Sequence, residues 1–177
     1  MNFRTILTVL IPLFVLGVSE ASAQSSQGGA HVAGAHVAGP SGGSGGAEFE
    51  DVVPDKVRGV LSIRVCSGDL IDSIQMTVLN RFREMVIYAK HGGDGGSCQT
   101  LVLSSGEFIT EISGRSGQFV DSLVIRTNLG AVLTAGGTGG SLPFRYTAAN
   151  DRVQIVGFMG RSGDFLDAFG VVYRQLY

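Results

Sequence analysis

Gly42-Gly43-Ser44-Gly45-Gly46, Gly92-Gly93-Asp94-Gly95-Gly96 and Gly136-Gly137-Thr138-Gly139-Gly140 are three copies of one string, GGxGG, with starts 50 and 44 residues apart. A second string interleaves with it: a Gly, two residues, an apolar residue, an Asp, a small residue and an apolar one. It occurs as GDLIDSI from Gly68, GQFVDSL from Gly117 and GDFLDAF from Gly163, with starts 49 and 46 apart. Two motifs that share one order and one period mark three related units of about 45 to 50 residues. Between the glycine clusters lie short runs rich in Val, Ile, Leu, Phe and Thr, and no segment keeps a helical apolar period for three turns.

The reading is all-β. Strands are expected over residues 60–65, 70–79, 85–90, 100–103, 108–113, 120–127, 131–135, 153–158 and 165–175. In the second of these, Ile74, Met76 and Val78 share one face while Gln75 and Thr77 share the other, the alternation of a half-buried strand. Three small sheets, each with one apolar face, satisfy one another by facing a common axis, which predicts a three-sided prism rather than a two-layer sandwich. In such a ring the second and third GGxGG loops each sit beside the G-x-x-x-D motif that precedes them. The first loop meets its counterpart, the motif from Gly163, only if the two ends of the domain come together.

The length of 177 residues suits one domain with a single core. A formal charge of -2 with 16% charged residues supplies no basic field, so nucleic acid and anionic lipid are not expected partners. Glycine, at 27 of 177, is about twice as frequent as usual, so many positions need unusual backbone angles. His31, His36 and His91 do not approach a zinc-ligand spacing together with the cysteines, and no metal or cofactor is expected.

Arg4, the apolar run over 6–18 and Ala21-Ser22-Ala23 read as a signal peptide over residues 1–23, so the protein is expected to be secreted. The run falls short of the roughly 20 apolar residues of a membrane-spanning helix, so no membrane partner is expected after cleavage. Residues 24–41, with AHVAG twice in tandem, read as a flexible low-complexity leader, and 42–177 as the domain. Cys66 lies two residues before Gly68 and Cys98 two after Gly96, flanking one pair of loops. Export permits a disulfide and this placement favours it; two free thiols are the alternative.

A glycine-rich loop lets backbone N–H groups point outward from a turn. A carboxylate beside them accepts from adjacent hydroxyls while the amides donate to the same oxygens, a chemistry suited to a neutral hexose. Phosphate is not expected, because no loop is followed by the Lys-Ser/Thr of a P-loop.

GGSGGAEFED, IDSI, HGGDGG, GEFITEISG and above all GRSGDFLDAFGV resemble the jacalin-related lectins, from about Gly42 to the C-terminus. The resemblance implies the β-prism I fold, three four-stranded antiparallel sheets with pseudo-threefold symmetry, and a protein that binds carbohydrate without cleaving it. It implies a sugar site joining the first glycine loop to the last G-x-x-x-D loop: Gly46, backbone N–H groups at Gly163, Asp164 and Phe165, and the carboxylate of Asp167. The plainer alternatives are that Asp167 caps its own turn and that Phe165 belongs to the core. A second site, used by some mannose-binding members, corresponds to Asp69, Leu70 and Asp72 facing Gly92 and Gly93. In the middle copy Gln118 replaces the first Asp while Asp121 remains, and the resemblance supplies no common precedent for a site there.

Galactose-preferring members expose a free glycine amino group at the first loop and stack aromatics on the sugar. Here Gly46 is internal and the last loop offers Asp164-Phe165, so glycans containing mannose or glucose are the expected ligands. Val52-Val53-Pro54 stands where the family usually has a glycine, so the exit of the first loop is expected to differ. Two other classes compete. Asp164 and Asp167 resemble the carboxylate pair of a glycosidase, but they lie three apart on one tight loop, whereas hydrolysis needs them on opposite sides of the scissile bond. A secreted β-prism interaction or structural module that has lost sugar binding is the other. A single shallow cup binds weakly, so a homodimer is expected to supply avidity.

Overall fold

The computed structural model describes residues 35–53, 59–80, 82–150 and 152–175. The expected signal peptide, and the expected leader up to residue 34, lie outside them. The described residues are all strand, turn and bend. In chain order the strands are β1 (Ala35–Gly42), β2 (Ala47–Val52), β3 (Gly59–Ser67), β4 (Ile71–Leu79), β5 (Met85–Ile87), β6 (His91–Gly92) and β7 (Ser97–Val102). They continue as β8 (Ile109–Ser116), β9 (Val120–Thr127), β10 (Val132–Gly136), β11 (Leu142–Thr147), β12 (Val153–Ser162) and β13 (Leu166–Gln175).

Pairing is antiparallel throughout and resolves into three four-stranded groups: β1-β13-β12-β2, β11-β8-β9-β10, and a third in which the outer strand is split, β5 and β6 both lying on β4, followed by β3 and β7. A single pairing, Ile155 with Ile109, joins the first two groups. Each group is built on a central hairpin, β3–β4, β8–β9 or β12–β13, whose turn is one G-x-x-x-D motif. This is the β-prism, with pseudo-threefold symmetry. The apolar faces meet on the axis: Ile63, Met76, Ile112, Leu123, Phe158 and Phe169, two from each hairpin, are fully buried. Each such side chain contributes about 1.5–3 kcal/mol by leaving water. The alternation in β4 is as expected, with Ile74, Met76 and Val78 buried and Gln75 and Thr77 half-buried.

The ends of the domain close. β1 runs along β13 from Ala35–Arg174 to Gly42–Ala168, and β2 along β12 from Ala47–Ser162 to Val52–Gly157. Closure corrects one expectation: residues 35–41 are not leader but strand. AHVAGPS lacks an apolar stripe because β1 is an edge strand, held by its ladder to β13 rather than by burial of its own side chains. Its ladder slips between Ala38 and Ser41, where Pro40 has no N–H to give. β2 and β11 were also not anticipated, and β5 ends at Ile87 rather than at 90. β2 carries Glu48, Glu50 and Asp51, and β11 carries Pro143 and Arg145. Each pairs on one side only, where charge and proline are tolerated. At the unusual Val52-Val53, the Val53 N–H donates to Val156 O at 2.9 Å and the side chain is fully buried, so the chain stays paired to β12 one residue beyond the end of β2.

Cys66 and Cys98 are directly paired across β3 and β7 and form the disulfide. Among the described residues no group of His, Cys, Asp and Glu is arranged to hold a metal ion.

Candidate functional site

The hairpin turn between β12 and β13 is closed by Gly163 N–H donating to Phe165 O at 3.0 Å. That bond uses the first amide of the turn and leaves those of Asp164 and Phe165 without a partner among the described residues. Across from them the loop 42–46 joins β1 to β2. Its Gly43 N–H donates to Asp167 O at 2.8 Å. Gly42 and Gly46 have φ of 136° and 61°, angles that side chains rarely adopt. A Cβ on Gly45 would fall on Asp167 Oδ1, and one on Gly46 would lie 2.6 Å from Oδ2. The loop is therefore glycine because the carboxylate lies directly against its backbone. Gly163 is close as well, its Cβ position 3.6 Å from both Asp167 Oδ2 and Gly46 Cα.

Gly46, Gly163, Asp164, Phe165 and Asp167 thus converge on one cup, with the carboxylate as its floor. Asp167 is 5% exposed, deeper than an acid on an open rim, and Oδ2 is sealed from solvent without a hydrogen-bond partner. Its side chain makes no hydrogen bond to its own turn, which removes the capping alternative. Phe165 is half-buried against Phe119, with ring centroids 5.4 Å apart, so it is neither core nor a free stacking platform.

The expected second set comes together in the same way. Gly68 N–H donates to Leu70 O at 3.0 Å, Gly93 N–H donates to Asp72 O at 3.0 Å, and Gly95 and Gly96 lie against the Asp72 carboxylate. Asp72 is buried, and Gly92 has φ 112°. At the loop centre, Asp94 is engaged by Lys90, whose hydrogen bond and charge hold the Asp94 carboxyl below its ordinary value.

Sequence reasoning missed what braces these loops. Arg161 donates from Nε to Gly45 O and from Nη2 to Gly46 O, each at 2.7 Å, and from Nη1 to Glu48 Oε1 at 2.7 Å. It holds both loop carbonyls. The signal was available: Arg161, Arg115 and Cys66 each stand two residues before the Gly of a G-x-x-x-D motif. At the second cup the disulfide takes the place of the arginine. His91, weighed only as a metal ligand, pairs through Nε2 with Asp51 Oδ2 at 2.8 Å and stacks on Phe49 at 3.9 Å. It thereby ties β2, which leaves the first loop, to β6, which leads into the second.

The cups form a ring. A Cβ on Gly43 would overlap the carbonyl of Gln118, one on Gly93 that of Asp164, and one on Gly137 would lie 2.7 Å from that of Asp69. Each glycine loop is wedged between its own Asp and the next unit's turn.

The profile of the jacalin-like lectin domain matches residues 38–172. Horcolin of Hordeum vulgare is 41% identical over 140 residues, covering 75% of this chain and 92% of that protein. A mannose/glucose-specific lectin of Parkia pendula is 30% identical over 148 residues, 77% of this chain but 31% of the longer relative. Among solved structures, AcmJRL, a mannose binding jacalin related lectin from Ananas comosus, superposes with a TM-score of 0.70 at 27% identity, covering 80% of this chain and 99% of that one. The chain belongs to the jacalin-like lectin domain family and is a carbohydrate-binding lectin, not an enzyme.

Proposed function

We propose that this protein is a secreted lectin for glycans presenting mannose or glucose, held in the cup of residues 42–46 and 163–167 and in a second cup of residues 68–72 and 92–96. The observation that carries the reading is the Asp167 carboxylate, buried with Oδ2 unpartnered, in the same turn as the Asp164 and Phe165 amides, which have no partner among the described residues. A hexose hydroxyl donates to Oδ1 of such an acid, the carboxylate oxygen that is not sealed, and the amides donate to the neighbouring sugar oxygens. The internal position of Gly46, and a last loop that carries Asp164-Phe165 rather than two aromatics, favour mannose or glucose over galactose. The relatives described as mannose binding and mannose/glucose-specific support that choice. The N-terminal apolar run with its small-residue cleavage site supports export, and the Cys66–Cys98 bridge suits an oxidising compartment.

A glycan array with competition by methyl α-mannoside, methyl α-glucoside and methyl β-galactoside tests the reading. Binding competed by the first two and not the third is the expected result. A folded protein with no glycan signal would instead make it an interaction module that has lost its sugar.

A further inference from the structure

We propose that the middle copy of the repeat, residues 117–121 with 136–140, is a third hexose cup; this rests on the lectin reading above. Sequence reasoning discounts it because Gln118 stands where the other copies have Asp69 and Asp164. The geometry removes that objection, since position 118 contributes main chain. Gly117 N–H donates to Phe119 O at 2.9 Å, the same closure as in the other two turns, and the Gln118 and Phe119 amides have no partner among the described residues.

The acid is present and available. Gly137 N–H donates to Asp121 O at 3.0 Å, Gly136 and Gly140 have φ of 90° and 74°, and a Cβ on Gly140 would lie 2.7 Å from Asp121 Oδ2. A Cβ on Gly139 would overlap Oδ1. The Asp121 carboxylate makes no hydrogen bond or ion pair among the described residues. The brace is present too: Arg115 Nε donates to Gly139 O at 3.1 Å and Gly140 O at 2.8 Å, as Arg161 does at the first cup, whereas the second has Lys90 Nζ on Gly93 O at 3.0 Å and the disulfide. The loop centre is an exposed, uncharged Thr138, comparable to Ser44, whereas Asp94 at the second cup is tied to Lys90.

One difference sets the strength. In the first unit Ser162 pairs with Ala47, the residue after the loop, whereas Ser116 pairs with Leu142, one residue further on. Asp121 is accordingly half-buried where Asp72 and Asp167 are buried. A more open carboxylate is better hydrated and gives less when a sugar replaces that water, so the third cup is expected to be the weakest of the three. Because the loops are wedged between one another's turns, the three cups abut at one end of the prism, a spacing that allows one branched glycan to engage more than one.

The test uses the full mature chain as wild type, the double variant Asp72→Asn/Asp167→Asn, the triple variant adding Asp121→Asn, and the double variant carrying Gly139→Ala. Each is titrated with methyl α-mannoside and followed by amide chemical shifts, with the dispersion of the spectrum reporting folding. The expected result is that the folded double variant still saturates, with shifts at Gln118, Phe119 and Thr138, and that Asp121→Asn or Gly139→Ala abolishes them. A folded double variant that no longer responds while the wild type does would overturn the third cup and leave the lectin reading standing. A wild type that does not respond would overturn both.

Discussion

Replacing Asp167 by Asn is expected to make the protein more stable and to weaken sugar binding at the first cup. Asp167 is 5% exposed, and Oδ2 is sealed from solvent with no donor among the described residues. An unsatisfied buried acceptor costs about 1–3 kcal/mol, and more when it carries charge. Asn keeps the shape that Gly45 and Gly46 lie against and removes the charge, so a gain of about 1 kcal/mol or more is expected. For a domain of this size that is a rise in Tm of about 3–5 °C. The binding side has the opposite sign. A hydroxyl donating to the carboxylate contributes about 1.5–3 kcal/mol, so converting the acid to an amide should weaken the first cup by about 10- to 100-fold.

Thermal unfolding with and without methyl α-mannoside reads both effects in one experiment. Sugar at 100 times Kd stabilises the wild type by about 2.7 kcal/mol through mass action. The variant, with its other cups removed by Asp72→Asn and Asp121→Asn in both arms, should start higher and move less. The reasoning is refuted if Asp167→Asn lowers Tm by several degrees while the sugar-induced shift is undiminished, because Asp167 would then be a structural acid that holds its own turn.

Reduction of Cys66–Cys98, or Cys66→Ser, should destabilise the domain by about 3.5 kcal/mol from the loop its cysteines close, 32 residues apart in sequence; denaturant midpoints with and without reductant measure it. Its binding defect should fall on the second cup and spare the first, which mannoside titration of Asp167→Asn and Asp72→Asn backgrounds separates. Tyr146 donates to Phe169 O at 3.2 Å and shares a hydrogen bond with Ser41 Oγ at 2.7 Å, tying β11 to β13 and β1. Tyr146→Phe should cost about 1 kcal/mol. Burial raises the hydroxyl pKa of Tyr88, Tyr146 and Tyr173, with the Asp51 charge adding at Tyr88 and Tyr146 adding at Tyr173. The unfolded chain therefore releases these protons first, so stability holds below about pH 10 and falls as pH rises through the raised folded values. Urea midpoints from pH 8 to 11 should decline, and less steeply in Tyr146→Phe.

What was legible in the sequence follows from which atoms the fold uses. The two glycine strings were readable as a threefold repeat because their spacing is a main-chain requirement: Gly42, Gly92 and Gly136 each carry positive φ and each abut the carbonyl of an Asp. No other residue fits, so the requirement is written as Gly. The central hairpins were readable because their side chains fill the axis, as Met76 and Leu123 do. β1, β2 and β11 were not, because an edge strand owes its place to a partner's free ladder rather than to its own pattern, and AHVAGPSG reads as low complexity until β13 is beside it. The depth of Asp167 was hidden for a related reason: the alternation of GDFLDAF marks it as polar but not as the floor under the loop 42–46 at the other end of the domain.

The same division explains how one repeat can yield three unlike cups. The contacts offered to a sugar are two turn amides and one carboxylate in every unit, so the turn residues whose side chains differ, Asp69, Gln118 and Asp164, leave that chemistry unchanged. What differs is the means of holding the glycine loop still: an arginine shared with Glu48 at the first, a disulfide at the second, an arginine on the loop carbonyls alone at the third. A glycine loop has the most backbone freedom to lose on binding, and the brace removes part of that freedom in advance. The order of affinities among the cups should therefore follow bracing and carboxylate burial together, with the third cup lowest on both counts, and not the identity of the residue at 69, 118 or 164.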